Sequence, residues 1–425
     1  MLIVLIGGHL TITLGQTRKR TAGPEAVTTV NQNIVTGTDT GSSQVKRFDT
    51  PALTETASFL AFSALFTGGV RVAVGDVNGD GVADIICGAG PGGGPEVKVF
   101  DGVSGAVIRD FFAYSAGFTG GIFVAAGDIN GDGKADIITG TDSGVQAEVK
   151  VFDSTSLAVL KDFFPFATFT GGARVAAGKV TADGVPDIVV GAGVGAGPEV
   201  KVFDGMTGAV ILDFFAYNPA FTGGVYVAAG DLNNDLRADI LTGAGAGGAP
   251  QVSVFSGANG ALLNSFLAFS PLFTGGVRVA AGRVNADSVP DIIVGAGPGG
   301  GPEVKAYDGA TGVLIHDFFA YDVTFTGGVF VAAPPIAVPS AAAVSVSGRV
   351  LTPDGRGLRN AVVTLNDQKG IARQVTTSSF GYYRFNEVQT GETYIISVKS
   401  KLYRFAPRLV TVSDALTDVD FIGLE

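Results

Sequence analysis

FTGGVRVAVGDVNGDGVADIICGAGPGGGPEVKVFDG, residues 66–102, is a unit of sequence that the chain repeats. Its opening phrase, Phe-Thr-Gly-Gly, occurs six times, and successive copies start 51 or 52 residues apart. The copies start at Phe66, Phe118, Phe169, Phe221, Phe273 and Phe325. A fixed period of this length is typical of repeat architectures, in which each unit packs mainly against its neighbours.

One unit has the pattern of four short strands. Val70, Val72 and Val74 alternate along a first strand, and a polar loop follows it. A short apolar strand, the alternating EVKVF at residues 96–100 and a last strand at residues 106–114 complete the unit, with Gly-rich or Asp-Gly turns between them. Four antiparallel strands in each repeat predict one blade of a β-propeller.

Two incomplete units flank the five complete ones. Residues 33–62 match the last three strands of a unit, whereas residues 325–333 match only a first strand. We therefore predict an all-β fold, a six-bladed β-propeller in which the C-terminal strand completes the blade begun by the N-terminal strands. Such closure removes exposed sheet edges. The alternative, an open array of stacked sheets, leaves the match between the two partial units unexplained.

The domain boundaries follow from where the repeats begin and end. We expect a poorly defined N-terminal segment at residues 1–32, the propeller at 33–333 and a Pro-containing linker at 334–343. Short alternating strands with turn signals at residues 344–425 predict a small C-terminal β-sandwich. The apolar residues 1–16 lack a preceding basic region and are too short to span a membrane, so we expect a truncated gene start or an extra strand rather than a signal peptide.

The polar loop of the first unit carries oxygen atoms at alternating positions. Asp76, Asn78, Asp80 and Asp84 occupy loop positions 1, 3, 5 and 9, and Val82 at position 7 offers its main-chain carbonyl. Calcium accepts irregular cages of six or more oxygens, and glycine at positions 4 and 6 permits a tight turn. An ordinary Asx-type turn without a metal is the alternative.

The second unit repeats this loop in full, and the fourth repeats it with Asn234 and Leu236 in place of the two glycines. We therefore predict calcium at three loops. The ligands predicted for the second and fourth units are Asp128, Asn130, Asp132, Lys134 (carbonyl) and Asp136, and Asp231, Asn233, Asp235, Arg237 (carbonyl) and Asp239.

The loops of the third and fifth units depart from the pattern in the same way. Lys179 and Arg283 stand at position 1, while acidic residues persist at positions 5 and 9. We predict that each cationic side chain replaces the metal ion and pairs with the remaining carboxylates. The chain would then bind about three calcium ions, which would reduce its formal net charge from −11 to about −5.

The form VAxGDxNGDGxADIIxGAGPGGGPEVKVFDG resembles FG-GAP/VCBS repeats, which form calcium-loop propellers in integrin α-subunit heads and in many bacterial surface proteins. The resemblance covers residues 33–333. It implies that the calcium loop is the hairpin between the first two strands of a blade, that the metal makes this hairpin rigid, and that ligands commonly bind at the opposite face. Integrins have seven units rather than six, so their partner specificity is not carried over.

The C-terminal region also resembles a known family. Its Gly348-Arg349-Val350 and Gly381-Tyr382-Tyr383-Arg384-Phe385 are similar to the carboxypeptidase regulatory-like, prealbumin-like domain. That family is non-catalytic, so the resemblance implies no peptidase activity. We expect the aromatic residues here to serve mainly as core and edge packing.

The residues that usually carry catalysis or nucleic-acid binding do not form recognisable sets. His9 and His316 have no companion at metal or triad spacing, and Cys87 lies in an apolar strand as a small filler. The glycines at residues 88–95 lack the helix and lysine of a phosphate loop, and no basic run suggests nucleic acid. We therefore expect no enzyme.

The expected function is calcium-dependent binding of a protein or a glycan, as in adhesion, by a secreted or cell-surface protein without a transmembrane span. The location follows from the metal, because weak calcium sites fill at the millimolar concentrations found outside cells. A structural spacer in a larger surface protein and the accessory domains of a secreted hydrolase are the alternatives.

Overall fold

The computed structural model describes residues 32–335 except 286 and 288, and residues 344–424 except 367–371, 389–392, 413–415 and 417–418. All regular elements in these residues are β-strands. The predictions made for residues 1–16 and for most of the linker at 334–343 fall outside the described residues.

Six four-stranded antiparallel sheets form the described part of the repeat region. The first sheet contains β1 (Asn33–Thr38), β2 (Gln44–Asp49), β3 (Thr54–Leu60) and, from the far end of the repeats, β24 (Val329–Ala332). The second contains β4 (Val70–Gly75), β5 (Asp84–Ala89), β6 (Glu96–Phe100) and β7 (Val107–Phe112). The third contains β8 (Ile122–Gly127), β9 (Asp136–Thr141), β10 (Val149–Phe152) and β11 (Val159–Phe163).

The remaining three sheets of this region have the same order. The fourth contains β12 (Ala173–Gly178), β13 (Asp187–Ala192), β14 (Glu199–Phe203) and β15 (Val210–Phe215). The fifth contains β16 (Val225–Gly230), β17 (Asp239–Ala244), β18 (Gln251–Phe255) and β19 (Leu262–Leu267). The sixth contains β20 (Val277–Gly282), β21 (Asp291–Ala296), β22 (Glu303–Tyr307) and β23 (Leu314–Phe319).

The sheets close on themselves through the pairing of β1 with β24. These strands are antiparallel, with Val35 opposite Ala332 and Thr38 opposite Val329. The innermost strands β4, β8, β12, β16, β20 and β24 are neighbours in that order, and β24 also lies beside β4. The predicted all-β propeller is confirmed, and so is the predicted pairing between its N-terminal and C-terminal strands.

Close packing between neighbouring sheets explains the apolar second strand of each unit. Every residue of β5, which reads DIICGA, is buried, because the sheet is covered on both faces. Gly88 on this strand is needed for the close approach: a Cβ there would lie 2.8 Å from Val124 Cγ1 in the next sheet. Cys87 is fully buried and free, as predicted for a filler, and burial raises the pKa of its thiol.

Alternate sheets differ in a way that repeats every second unit. Tyr114, Tyr217 and Tyr321 are buried between sheets, and their hydroxyls contact Thr139, Thr242 and Thr36 at 3.0 Å. In the intervening units the equivalent positions hold Phe62, Phe166 and Phe269, next to Cys87, Val190 and Val294. The ring is therefore built from three pairs of unlike blades.

The C-terminal region forms two further sheets around a core of its own. Buried Val346, Phe385 and Ile396 belong to that core. Tyr383 is buried while its neighbour Tyr382 is exposed, which is the alternation expected for a strand with one core face. The first sheet contains β28 (Tyr382–Val388), β25 (Val344–Leu351) and β31 (Phe421–Ile422); the second contains β27 (Ala372–Thr376), β26 (Val362–Asn366), β29 (Thr393–Lys399) and β30 (Arg408–Thr411).

Candidate metal loops and the axial ring

The three predicted metal loops are hairpins that join the first two strands of a sheet. Residues 76–84 connect β4 to β5, residues 128–136 connect β8 to β9, and residues 231–239 connect β16 to β17. This is the place in the blade that the family resemblance implied. All three follow the C-terminal end of an inner strand, so they lie at one face of the ring.

The loop at residues 76–84 turns its oxygen side chains towards its own main chain. Asp76 Oδ1 accepts hydrogen bonds from the N–H groups of Gly79 at 2.7 Å and Asp80 at 3.1 Å, and its Oδ2 accepts one from Gly81 at 2.8 Å. Asn78 Oδ1 accepts from Asp80 N–H, and Asp80 Oδ1 accepts from Val82 N–H, both at 2.8 Å. The side chains at positions 1, 3 and 5 are thereby oriented by the loop itself.

The loop at residues 231–239 follows the same path without the glycines. Asn234 and Leu236 have φ of 60° and 69°, close to the 81° and 85° of Gly79 and Gly81 in the first loop. Left-handed backbone costs a side-chain-bearing residue on the order of 1–2 kcal/mol. Leu236 N–H nevertheless donates to Asp231 Oδ2 at 2.8 Å. The path is thus retained where local conformational preference opposes it.

The aspartate at position 9 anchors the hairpin. Asp84 is fully buried; its Oδ2 accepts from Val77 N–H at 2.9 Å and its Oδ1 from Gly102 N–H at 2.8 Å. Asp136 and Asp239 are held in the same way, and so are Asp187 and Asp291 in the loops with lysine and arginine at position 1. This residue therefore has a structural role in all five hairpins.

Burial has an electrostatic consequence for these five anchors. It raises the pKa of each carboxyl above its ordinary value, and that of Asp136 and of Asp239 to about 6. The main-chain N–H donors act in the opposite direction, since they stabilise the charged form.

The donor set of the three predicted loops fits calcium in its chemistry, because all of the donors are oxygens. Within the described residues, the group of three carboxylates with oxygens within 4.8 Å of one another lies elsewhere, at Asp287, Asp291 and Asp308. Asn285 Nδ2 donates to both Asp291 and Asp308, at 3.0 and 2.9 Å. The carboxylates of the predicted loops are spaced more widely than in this cluster.

The predicted ion pairs of Lys179 and Arg283 are not formed. Over the part of the chain that the structure describes, neither side chain lies within 4.0 Å of a carboxylate oxygen. Arg283 Nη2 donates instead to the main-chain oxygen of Asp287 at 3.0 Å. The prediction that these cations pair with the loop carboxylates was wrong, because main-chain N–H groups and Asn285 already satisfy Asp187 and Asp291.

Sequence reasoning missed a second set of residues, at the opposite end of the inner strands. The second residue of each inner strand alternates between arginine and an aromatic residue around the ring, and we call these six side chains the axial ring. They are Arg71, Phe123, Arg174, Tyr226, Arg278 and Phe330. The signal was present as an arginine that recurs in every second repeat.

The axial ring packs tightly around the propeller axis. The centroids of its three aromatic rings lie 6.0 to 6.3 Å from one another. Each guanidinium lies 3.8 to 5.8 Å from the centroids of two aromatic rings, within cation–π distance. Arg71 pairs with Asp142 at 3.0 Å, and Arg278 pairs with Asp39.

Comparison with protein-family models places two families in this chain. The FG-GAP repeat matches residues 68–108 and 120–152, and the carboxypeptidase regulatory-like domain matches residues 345–422. The chain therefore contains FG-GAP repeats followed by a carboxypeptidase regulatory-like domain, as the sequence motifs indicated.

Solved structures with a similar fold are β-propellers or remain without an assigned function. A protein of unknown function from Bacteroides caccae has a TM-score of 0.44 at 10% identity, over 71% of this chain and 98% of that one. The Dos1 propeller has a TM-score of 0.38 at 15% identity, over 67% of each chain. The V. cholerae biofilm matrix protein Bap1 has a TM-score of 0.35 at 15% identity, over 82% of this chain and 67% of that one. At these values the similarities carry no functional information.

Membrane insertion through a helix has no support in the described residues, where no helix is long and apolar enough to cross a bilayer.

Proposed function

We propose that this protein is a non-catalytic, calcium-stabilised binding protein of the cell exterior that recognises a protein or a glycan. FG-GAP repeats together with a carboxypeptidase regulatory-like domain indicate an extracellular binding or structural protein. The single observation that supports calcium best is the strained loop path at Asn234 and Leu236, which keeps the oxygens of residues 231–239 in the arrangement of the glycine-containing loops.

The residues that would hold the ion are the side chains at positions 1, 3 and 5, the carbonyl at position 7 and the buried anchor at position 9. In the first loop, Asp76 and Asp80 accept main-chain hydrogen bonds that fix their orientation before any ion binds. When bound, calcium supplies the positive charge that balances these carboxylates. The expected effect is a more rigid hairpin at one face of the propeller.

Exposed aromatic side chains at the other face favour binding over a purely structural role. Phe112, Phe164, Phe215 and Phe319 lie at or just after the ends of four outer strands, and each is at least half exposed. Leu60 and Leu267 hold the equivalent positions in the other two sheets and are also exposed. Large exposed apolar groups in a regular arrangement are typical of interaction surfaces.

An array of glycans and immobilised proteins, probed with the full chain in calcium and in chelator, tests this proposal. We expect retention in calcium that falls when the metal is removed. A double variant, Phe112→Ser with Phe319→Ser, should lose retention while its melting temperature stays close to that of the parent. Calcium-independent indifference to every ligand would favour the structural spacer, and turnover of a glycoside, ester or peptide substrate would contradict the non-catalytic assignment.

A further inference from the structure

Arg174 is the arginine of the axial ring whose charge lacks a counter-ion. Its side chain is 6% exposed, the same as Arg71 and Arg278. Within the described residues Arg174 makes no side-chain hydrogen bond or ion pair, and its Nε and Nη1 are buried without a partner. A buried, unpaired cation is energetically unfavourable, so this one requires an explanation.

The two sister arginines show what is missing. Arg71 donates through Nη1 to Gly68 O at 3.2 Å and through Nη2 to Asp142 at 3.0 Å. Arg278 donates through Nη1 to Gly275 O at 3.0 Å and through Nη2 to Asp39. In each case the carboxylate comes from the next sheet around the ring.

Gly245 stands where the third carboxylate would be. Its N–H donates to Gly224 O at 2.9 Å, just as Asp142 N–H donates to Gly121 O at 2.8 Å and Asp39 N–H donates to Gly328 O at 2.9 Å. The main chain therefore occupies the same position in all three sheets. Because glycine has no side chain, no carboxylate of this loop reaches Arg174.

The Arg174 guanidinium is turned towards the sheet that contains Gly245. A Cβ on Gly224 in that sheet would lie 2.7 Å from Arg174 Nη1, whereas Arg71 Nη1 lies against Gly90 of its own sheet. Arg174 Cζ is 3.8 Å from the centroid of Tyr226, the shortest such distance in the axial ring. Tyr226 is also less deeply buried than Phe123, so the ring is more open at this corner.

We propose that Arg174, Tyr226 and the main chain at Gly245 form a binding site for one carboxylate group of an external ligand. This carboxylate would take the place that Asp142 and Asp39 fill beside the sister arginines, and the planar guanidinium suits it as a hydrogen-bond acceptor. The site lies at the N-terminal end of the inner strands, away from the metal loops. It goes beyond the proposed function and does not depend on calcium.

Thermal unfolding of the full chain in acetate tests the proposal. Calcium is held constant, and sodium chloride is replaced by sodium acetate at fixed ionic strength. We expect a saturable rise in melting temperature of about 2–4 °C, since a ligand that binds only the folded state stabilises it. Arg174→Met should abolish the rise. A parent protein that is indifferent to acetate, or a response that persists in Arg174→Met, would overturn the proposal.

A loop exchange provides the matched variant if Arg174→Met fails to fold. Residues 244–250, AGAGGAP, are replaced by TDSGVQA, the sequence of residues 141–147. This change places an aspartate at position 245 in a loop that already carries one in another sheet. We expect a higher melting temperature without acetate and no further response to it. A loop-exchange protein that still responds as the parent does would contradict the assignment.

The chemical source of the carboxylate is distinguished by calorimetric titration. Glucuronate that binds more tightly than acetate would place the carboxylate on an acidic sugar. N-acetylglutamate α-amide that binds more tightly would place it on an acidic side chain of a protein. Equal affinities would mean that the site recognises the carboxylate alone, whereas no heat that depends on Arg174 with any of the three would overturn the site.

Discussion

At one end of the inner strands the chain gathers carboxylates in hairpin loops, and at the other end it gathers three arginines around three aromatic rings. The anchor carboxylates are constant in all five hairpins, because they bind main-chain N–H groups that every hairpin presents. Position 1 of the loop varies between aspartate and a cation, and the counter-ion of the arginines varies between aspartate and glycine. Groups that serve the backbone are retained, whereas groups that would face an ion differ from blade to blade.

Removal of calcium should produce the largest effect at the loop end. At a calcium concentration 100-fold above Kd, each site contributes about 2.7 kcal/mol to the free energy of unfolding. We therefore expect a lower melting temperature of the propeller in chelator, measured by calorimetry, and full recovery after calcium is restored. Identical melting curves in calcium and chelator would contradict a stabilising metal.

Loss of a counter-ion should produce the largest effect at the arginine end. Asp39 and Arg278 have side chains that are 8% and 7% exposed, and removing one member of such a buried pair costs about 3–5 kcal/mol. Asp39→Ala should therefore reduce the free energy of unfolding in a urea titration by that amount. Asp142→Ala should cost less, because the Asp142 side chain is 20% exposed.

Arg174→Met is the control for this comparison in calcium without acetate. No ion pair is broken at Arg174, so the substitution should cost much less than Asp39→Ala. Equal losses in the two variants would indicate that Arg174 has a counter-ion after all.

Relief of backbone strain in the fourth-unit loop should have a smaller effect. Leu236 is 84% exposed and has φ of 69°, so Leu236→Gly removes strain and little packing. We expect the free energy of unfolding to rise by about 1 kcal/mol. The reverse change, Gly133→Leu, should lower it by a similar amount, because Gly133 has φ of 87° and a Cβ there would meet nothing within 4 Å. A destabilising Leu236→Gly would show that the leucine side chain itself is required.

The repeated unit was sufficient to predict the strands, the propeller and the pairing of residues 33–62 with residues 325–333, because alternation and turn chemistry are local signals. The double role of Asp84 could not be predicted, since its partner Gly102 follows only after two further strands. The axial ring was missed because comparison of adjacent units hides a two-unit period. Arg283 was assigned to the wrong partners, because the sequence does not show that main-chain N–H groups already satisfy Asp291.

The number of calcium ions bound to each chain tests the metal assignment most directly. The chelator-washed protein is recalcified, freed of excess calcium and measured by elemental analysis, beside Asp128→Ala and Asp183→Ala. We predict about three ions for the parent, about one fewer for Asp128→Ala and no change for Asp183→Ala. A count of about five would contradict the division between the aspartate loops and the Lys179 and Arg283 loops, and a count of zero would contradict the metal sites altogether.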